Sequence, residues 1–534
     1  MTPKPRRRIR PLLAAAVSAV VLASLAVVGG ADAAPARADT YTPITGTGST
    51  WSSNALDQWR KNVAANYGMT VNYSGTGSSA GRRDFISQSV DFAVSEIPFQ
   101  AAPEDGSIPE VPTTGYAYMP IVAGGTSFMY NLQIGGKRVT NLRLSGDSIT
   151  KIFTGAITNW NDPQLAADNP GLAMPDKAIV PVVRSDGSGS TAQFTLWMSK
   201  QHPAQWASYF PSGAMTSQYP VGGTMKAQNG SLGVAGYVSQ GYGEGAITYV
   251  EYSYAKNAGF PVAKVLNNSG YYIEPKATSV AVGLLSARIN DDLTQILDDV
   301  YNSPDPRTYP LSSYSYMIVP TETTTTFTTA KGTTLAAFAR YMLCEGQQQA
   351  DTLGYSPLPL NLVQAGSTQI ARIPGAGSIG VDVSTCNNPT FSADGSNALA
   401  ATAPQPAACD KQGPDQCTTG TGGAAETPTD TTGSGNGGTS ADAGGAAAAG
   451  APAAAAAAAG TTTGGAAPVY DENGALVSGG TAVAGAAVSS PFTLPDAGMG
   501  PQQWLMVAAG VLLLGAVIVP PLASRRLKRA GRDS

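Results

Sequence analysis

The sequence has a single histidine, His202, among 534 residues. That scarcity excludes metal centres built on several imidazoles, and it leaves any hydrolytic triad only one possible base. Cysteine is almost as rare: Cys344, Cys386, Cys409 and Cys417 are the whole complement. Their spacing matches no zinc or redox motif, and none lies near the N-terminus, so no lipid-modified cysteine can tether the chain there. Basic residues are also short. Between Asp39 and Ala523, 21 Lys and Arg face 34 Asp and Glu, a net charge near −13. Such a surface does not invite nucleic acid or anionic lipid. Any anion bound here must be held by local donors, because the global field repels it.

The two ends carry export and anchoring signals. Lys4, Arg6, Arg7, Arg8 and Arg10 precede an apolar run over residues 12–28, and small residues follow at Ala31-Asp32-Ala33 and Ala36-Arg37-Ala38. That order predicts a secretory signal peptide over residues 1–38. A second apolar run, residues 503–523, is about 30 Å long as a helix and long enough to span a bilayer. Arg525, Arg526, Lys528, Arg529 and Arg532 follow it. The basic tail, residues 524–534, is expected in the cytoplasm, with everything before the span outside the cell. An even number of exported cysteines implies two disulfides. Of the three pairings, Cys344–Cys386 with Cys409–Cys417 is the simplest.

Between the ends, composition divides the chain. Residues 42–386 have dispersed aromatics, β-rich runs and Gly-rich turns, and are too many for one simple core, so two lobes are expected. Residues 387–502 are rich in Gly, Ala and Thr, with an unbroken alanine run at 453–459. They read as a disordered stalk with a mean reach of about 50–60 Å. Within the domain, residues 70–73, 90–95 and 178–183 read as strands, and 82–88 and 191–200 as helices. Repeated strand–loop–helix order predicts an α/β fold with largely parallel sheets.

Three small-residue loops carry the candidate chemistry: Gly46-Thr47-Gly48-Ser49-Thr50, Gly75-Thr76-Gly77-Ser78-Ser79-Ala80-Gly81 and Asp186-Gly187-Ser188-Gly189-Ser190-Thr191. Each precedes a helical run, and Arg184 stands just before the third. Exposed amides at helix N-termini, with hydroxyls beside them, suit a tetrahedral oxyanion. The second loop also fits two other patterns. Gly75-x-Gly77-x-x-Ala80 with Glu96 downstream has the outline of a dinucleotide fingerprint, which export argues against. Gly77-Ser78-Ser79-Ala80-Gly81 has the form of a nucleophile elbow, for which His202 is the only base available.

These segments resemble the phosphate-binding proteins of ABC phosphate importers, the PstS family, over about residues 44–365. The resemblance rests on Ile44-Thr45-Gly46-Thr47-Gly48-Ser49-Thr50-Trp51, Val71-Asn72-Tyr73-Ser74-Gly75-Thr76-Gly77-Ser78, Val90-Asp91-Phe92-Ala93-Val94-Ser95, Ile152-Phe153-Thr154-Gly155-Ala156-Ile157-Thr158-Asn159-Trp160, Val183-Arg184-Ser185-Asp186-Gly187-Ser188-Gly189 and Gly245-Ala246-Ile247-Thr248-Tyr249-Val250-Glu251-Tyr252, all in order. It implies a two-lobed, periplasmic-binding-protein-like (type II) clamp with two crossover strands. Residues 42–125 would form the first part of lobe I, 126–255 lobe II, and 256–386 the returning part of lobe I. It implies inorganic phosphate as ligand, permease subunits of an ABC importer as partner, no cofactor and no enzymatic activity. Thr50, Trp51, Ser78, Glu96, Arg184, Ser188, Gly189 and Ser190 would bind the phosphate, and Asp186 would hold Arg184. Glu96 stands where the family has Asp. A cell-surface scavenger, sensor or adhesin without a permease is the alternative reading, and a secreted serine hydrolase the more distant one.

Overall fold

The computed structural model describes residues 41–377, 381, 386, 388–392 and 395–429, and the backbone of 469–470 and 476–478. It opens with β1 (Ile44–Gly48), α1 (Ser53–Tyr67), β2 (Val71–Ser74), α2 (Ser78–Ile86) and β3 (Phe92–Ser95). β1 lies between β2 and β3 and runs parallel to both. Parallel neighbours need a crossover, and the two helices supply it. α1 buries Leu56, Trp59 and Val63, a helical stripe facing the sheet, and stops at Gly68 in the left-handed conformation. α2 begins at Ser78, four residues earlier than the sequence suggested, because Gly77 turns the chain there and the loop hydroxyls enter the first helical turn.

β4 (Tyr116–Tyr130) is 15 residues long and buried at every position after the first. Its N-terminal half, through Ala123, packs in one hydrophobic cluster with Trp51, Trp59 and Phe338. Phe128 and Tyr130 pack in a second, with Trp160, Phe194 and Trp206. One strand therefore belongs to both lobes. Lobe II continues through β5 (Arg143–Leu144), α3 (Gly146–Phe153), β6 (Val180–Arg184), α4 (Gly189–Gln201), β7 (Lys226–Gln228), α5 (Gly230–Ser239), β8 (Ala246–Glu251), α6 (Tyr252–Ala258), β9 (Val262–Leu266) and β10 (Tyr272–Ile273). After α7 (Ala277–Leu284) the chain returns through β11 (Ser312–Pro320), α8 (Thr329–Leu343) and α9 (Leu360–Ile370). The main path of the sheet runs β2-β1-β3-β11-β4-β8-β6-β7. β11 is antiparallel to β3 and β4, whereas β6, β7 and β8 are parallel. The fold is thus the expected α/β clamp: two parallel halves joined by antiparallel crossover strands.

The second crossing comes later than expected. Leu297, Val300, Tyr309 and Leu311 belong to the lobe II cluster, and Tyr314 and Tyr316 to that of lobe I. β9 stays in lobe II through its pairing with β4, α7 packs Val280 and Leu284 in the lobe I cluster, and residues 297–311 rejoin lobe II, so the return expected at residue 256 begins only at α7 and is completed at β11. At the first crossing the backbone must approach its neighbours closely. A Cβ on Gly124 would lie 2.7 Å from the Trp51 ring, and one on Gly125 2.5 Å from Pro275. Any side chain there would push the crossover strand off its packing.

The expected stalk also starts too early. Residues 388–392 and 395–429 pack on the domain, with a short helix α10 (Ala398–Ala401), and both disulfides of the simplest pairing form: Cys344–Cys386 and Cys409–Cys417. Composition missed this because the segment is held by backbone hydrogen bonds to a few lobe side chains and by a disulfide, not by a core of its own. Farther on, Val469–Tyr470 pairs antiparallel with Leu476–Ser478. The expected signal peptide, most of the stalk beyond residue 429, the 503–523 helix and the 524–534 tail lie outside the described residues. Among the described residues no helix is long and apolar enough to cross a membrane.

Glu251 closes β8 beside the first crossing. It is fully buried and accepts a 2.8 Å hydrogen bond from the Ser253 amide. Burial raises its carboxyl pKa well above the ordinary 4.5, and the Ser253 hydrogen bonds offset this only in part. The folded state thus holds a proton that the unfolded chain releases. Above the ordinary carboxylate value, stability falls as pH rises toward the raised one. Glu251→Gln is expected to remove that slope and stabilise the protein at neutral pH, as read by denaturant unfolding between pH 5 and pH 8. An unchanged slope would show that Glu251 does not bind the proton.

Candidate anion site

The three loops converge where the lobes meet, and they do so because each strand delivers its loop to the same edge of its sheet. β1, β2 and β3 are parallel, so their C-terminal ends lie together. β6 and β7 present theirs from the other lobe. α2, α4 and α5 all start at this edge, so three helix N-termini face one cleft.

Glu96 lies at the centre and is fully buried. Its carboxylate accepts hydrogen bonds from the hydroxyls of Ser78 at 2.8 Å, Ser315 at 2.5 Å and Ser49. Its own carbonyl accepts a 2.7 Å bond from the Gln193 side chain of α4. The Glu96 carboxylate lies against Gly189 of lobe II. A Cβ on Gly189 would sit 1.8 Å from Glu96 Oε2 and 2.6 Å from Ser78 Oγ. Only glycine permits this approach.

Arg184, at the end of β6, is 2% exposed. Asp186 accepts from its Nε at 2.7 Å and from its Nη2, and is itself fixed by the Gly230 amide at 2.9 Å. Burial alone would raise the Asp186 carboxyl, but the Arg184 hydrogen bonds and charge outweigh it and hold the pKa below the ordinary value. Asp186 thus sits against the Nε and Nη2 edge of Arg184. Nη1 of Arg184 reaches Ser231 Oγ at 3.3 Å, and that oxygen lies 2.9 Å from Thr50 Oγ1. Thr50, Ser78 and Arg184 thus share one cleft.

The remaining candidates are placed less uniformly. The Gly189 amide donates to Ser78 Oγ at 3.1 Å, across the cleft. Ser188 Oγ caps α4 by accepting from the Thr191 amide, and the Ser188 amide donates to the Ser217 carbonyl. The Trp51 amide donates to Ser49 Oγ at 2.9 Å. Ser190 Oγ is buried and has no hydrogen-bond partner, which leaves it free to donate to a ligand. His202 is far from all of these. It follows the last turn of the 13-residue helix α4, whose other end faces the cleft, about 20 Å away along the axis. It packs on Trp197, and burial lowers its pKa. No hydrogen bond joins it to Ser78 or Ser79, so the nucleophile-elbow pattern has no base.

Sequence reasoning placed Ser49 in the first loop without giving it a role, and missed Ser231 and Ser315. Ser231 had a readable signal, because Asn229-Gly230-Ser231 repeats the strand–glycine–serine–helix grammar of the other loops. Ser315 had none. It lies in Ser312-Ser313-Tyr314-Ser315-Tyr316, where alternation alone does not say which face meets the cleft.

A family model for the PBP superfamily domain matches residues 33–345. That is the class the two lobes and their shared cleft define. The phosphate-binding protein PstS of Xylella fastidiosa (strain Temecula1) is 31% identical over 326 residues, covering 60% of this chain and 83% of that protein. The phosphate-binding protein PstS 2 of Mycobacterium tuberculosis is 31% identical over 326 residues, 59% and 82% of the two chains. The chain belongs to the PstS family. A crystal structure of a phosphate-binding protein from Stenotrophomonas maltophilia aligns with 67% of this chain and 99% of that one, at 17% identity and a TM-score of 0.46.

Gly189→Ala tests the convergence. The added methyl has no space against Glu96 and Ser78, so the lobes cannot meet. Far-UV circular dichroism is expected to stay as in the wild type while anion affinity falls by about 10- to 100-fold, the cost of overpacking by one to three kcal/mol. Wild-type affinity would mean that the two loops do not meet when ligand is bound.

Proposed function

We propose that this protein captures inorganic phosphate between its lobes and delivers it to the permease of an ABC importer. The observation that carries this is the convergence of Arg184, orientated by Asp186, with hydroxyls from both lobes and three helix N-termini around the Glu96 carboxylate. A guanidinium offers directed donors to a tetrahedral oxyanion. The carboxylate adds selectivity, because it can accept a hydrogen bond from a phosphate that carries a proton. Sulfate has none at neutral pH, and would oppose a carboxylate without a bridging proton. Thr50, Trp51, Ser78, Glu96, Arg184, Ser188, Gly189 and Ser190 are the proposed ligands, and Ser231 joins them through its contact with Thr50 and Arg184. No cofactor and no catalysis are needed. The basic, apolar and small-residue order at residues 1–38 supports export. The apolar run at 503–523 with its basic tail supports an anchor in the cell membrane, C-terminus inside, with the domain displayed on the outer side.

Isothermal calorimetry with phosphate and with sulfate decides between phosphate capture and an unrelated role. Phosphate is expected to bind and sulfate to give no heat; absence of phosphate heat at micromolar protein would remove the proposal. Arg184→Ala is expected to weaken phosphate binding by roughly 3–5 kcal/mol, since it leaves the anion and Asp186 without their counter-charge. Glu96→Gln should admit sulfate, and unchanged selectivity in that variant would place discrimination elsewhere.

A further inference from the structure

The family model ends at residue 345, yet the described fold continues to residue 429. The added segment starts on lobe I. Cys386 is bonded to Cys344 at the end of α8, and Asn388 and Thr390 both donate to the Leu358 carbonyl, at 3.0 and 2.8 Å. The chain then runs past the hinge, where Ala400 and Ala403 pack on Ala281 and Val282 of α7. Arg307 holds it there by donating to the carbonyls of Ala400 at 3.1 Å and Ala403 at 3.3 Å.

It ends on lobe II. Arg143, 1% exposed, donates to the carbonyls of Cys409 at 3.2 Å, Asp415 at 2.7 Å and Gly413 at 3.5 Å, inside the loop that the Cys409–Cys417 disulfide closes. Beside it Lys264 and Asp410 form a buried ion pair at 2.6 Å. Thr421 Oγ1 donates to the Val262 carbonyl at 2.6 Å and accepts from the Val262 amide at 3.1 Å, and the Gly422 amide donates to Glu274 at 2.7 Å. Each lobe is thus gripped by buried bonds, with exposed residues Pro404 and Gln405 between the grips.

We propose that the segment carrying residues 388–392 and 395–429 is a third connection between the lobes, a strap that limits how far the cleft opens and thereby strengthens ligand retention. Two crossover strands set the hinge axis, but they leave the opening angle free. A short covalent link fixed at both ends removes wide-open conformations from the ligand-free ensemble, and fewer open states lower the entropic cost of closing. The disulfide keeps the lobe II grip from unwinding around Arg143. This inference rests on the two-lobed capture reading above.

The test inserts about ten Gly/Ser residues between Gln405 and Pro406 of the full chain, which lengthens the strap while leaving both grips in place. Fluorescent labels on Lys61→Cys and Gln240→Cys, exposed positions of lobes I and II, report lobe separation with and without inorganic phosphate. The lengthened strap is expected to widen the ligand-free distance distribution and weaken phosphate binding by about threefold to tenfold, chiefly through faster dissociation. Identical distributions and affinity in the two proteins would overturn the strap. A wild-type chain whose lobe distance and calorimetry both ignore phosphate would instead overturn the capture reading, so the two failures are distinct. A second variant, Cys409→Ser with Cys417→Ser, loosens the same grip without changing chain length. It is expected to shift the distribution in the same direction, and no shift there counts against the clasp.

Discussion

Arg184 is a buried cation that has to be neutralised without being consumed. Asp186 takes the Nε and Nη2 edge and leaves Nη1 turned to the cleft, and the Gly230 amide keeps Asp186 from swinging away. With that pair neutral and Glu96 adding a carboxylate, the site carries no net positive charge to spend on an anion. Binding must therefore come from hydrogen bonds whose direction is fixed in advance, in a cleft shielded from water. This is why the surrounding architecture is so closely packed. Helix N-termini, a glycine pressed on a carboxylate, and a crossover strand with no room for side chains all serve to hold donors still.

Much of this was legible in the sequence. Each of the loops at residues 46–50, 75–81 and 186–191 could be an ordinary turn or cap, but three of them before helical runs make a pattern, and Arg184 stands out in a chain poor in basic residues. The parallel halves follow from strand–helix alternation. What composition could not show is anything that depends on contacts between distant segments. Ser315 reaches Glu96 from 219 positions away. The return of the chain to lobe I, through α7 and then β11, is fixed by which cluster buries Val280, Tyr309 and Leu311, and both clusters are built from the same residue types. The folded segment at 395–429 looks like a linker because its stability comes from Arg143, Lys264 and Thr140, far upstream, rather than from apolar residues of its own.

Glu96 shows how little room a site of this kind leaves. Its carboxylate reaches Gly189 of the opposite lobe, and three serine hydroxyls, from Ser49, Ser78 and Ser315, close around it. Ser78 then serves two partners at once, donating to Glu96 and accepting from the Gly189 amide. A ligand oxygen that uses either group must compete with a hydrogen bond the protein already makes.

That competition sets what the cleft can achieve. Thr50 with Ser231, Ser78 with Gly189, and the Ser79 amide with the Gly187 carbonyl at 3.0 Å are bonds made directly between the lobes. They favour closure on their own account, so a ligand contributes only the difference between its hydrogen bonds and those it replaces. A lobe pair that closes easily binds with less reorganisation, but it also rewards the ligand less for closing it. High affinity in such a clamp then depends on limiting the freedom of the open state as much as on adding contacts to the closed one, and the crossover strands alone do not supply that limit.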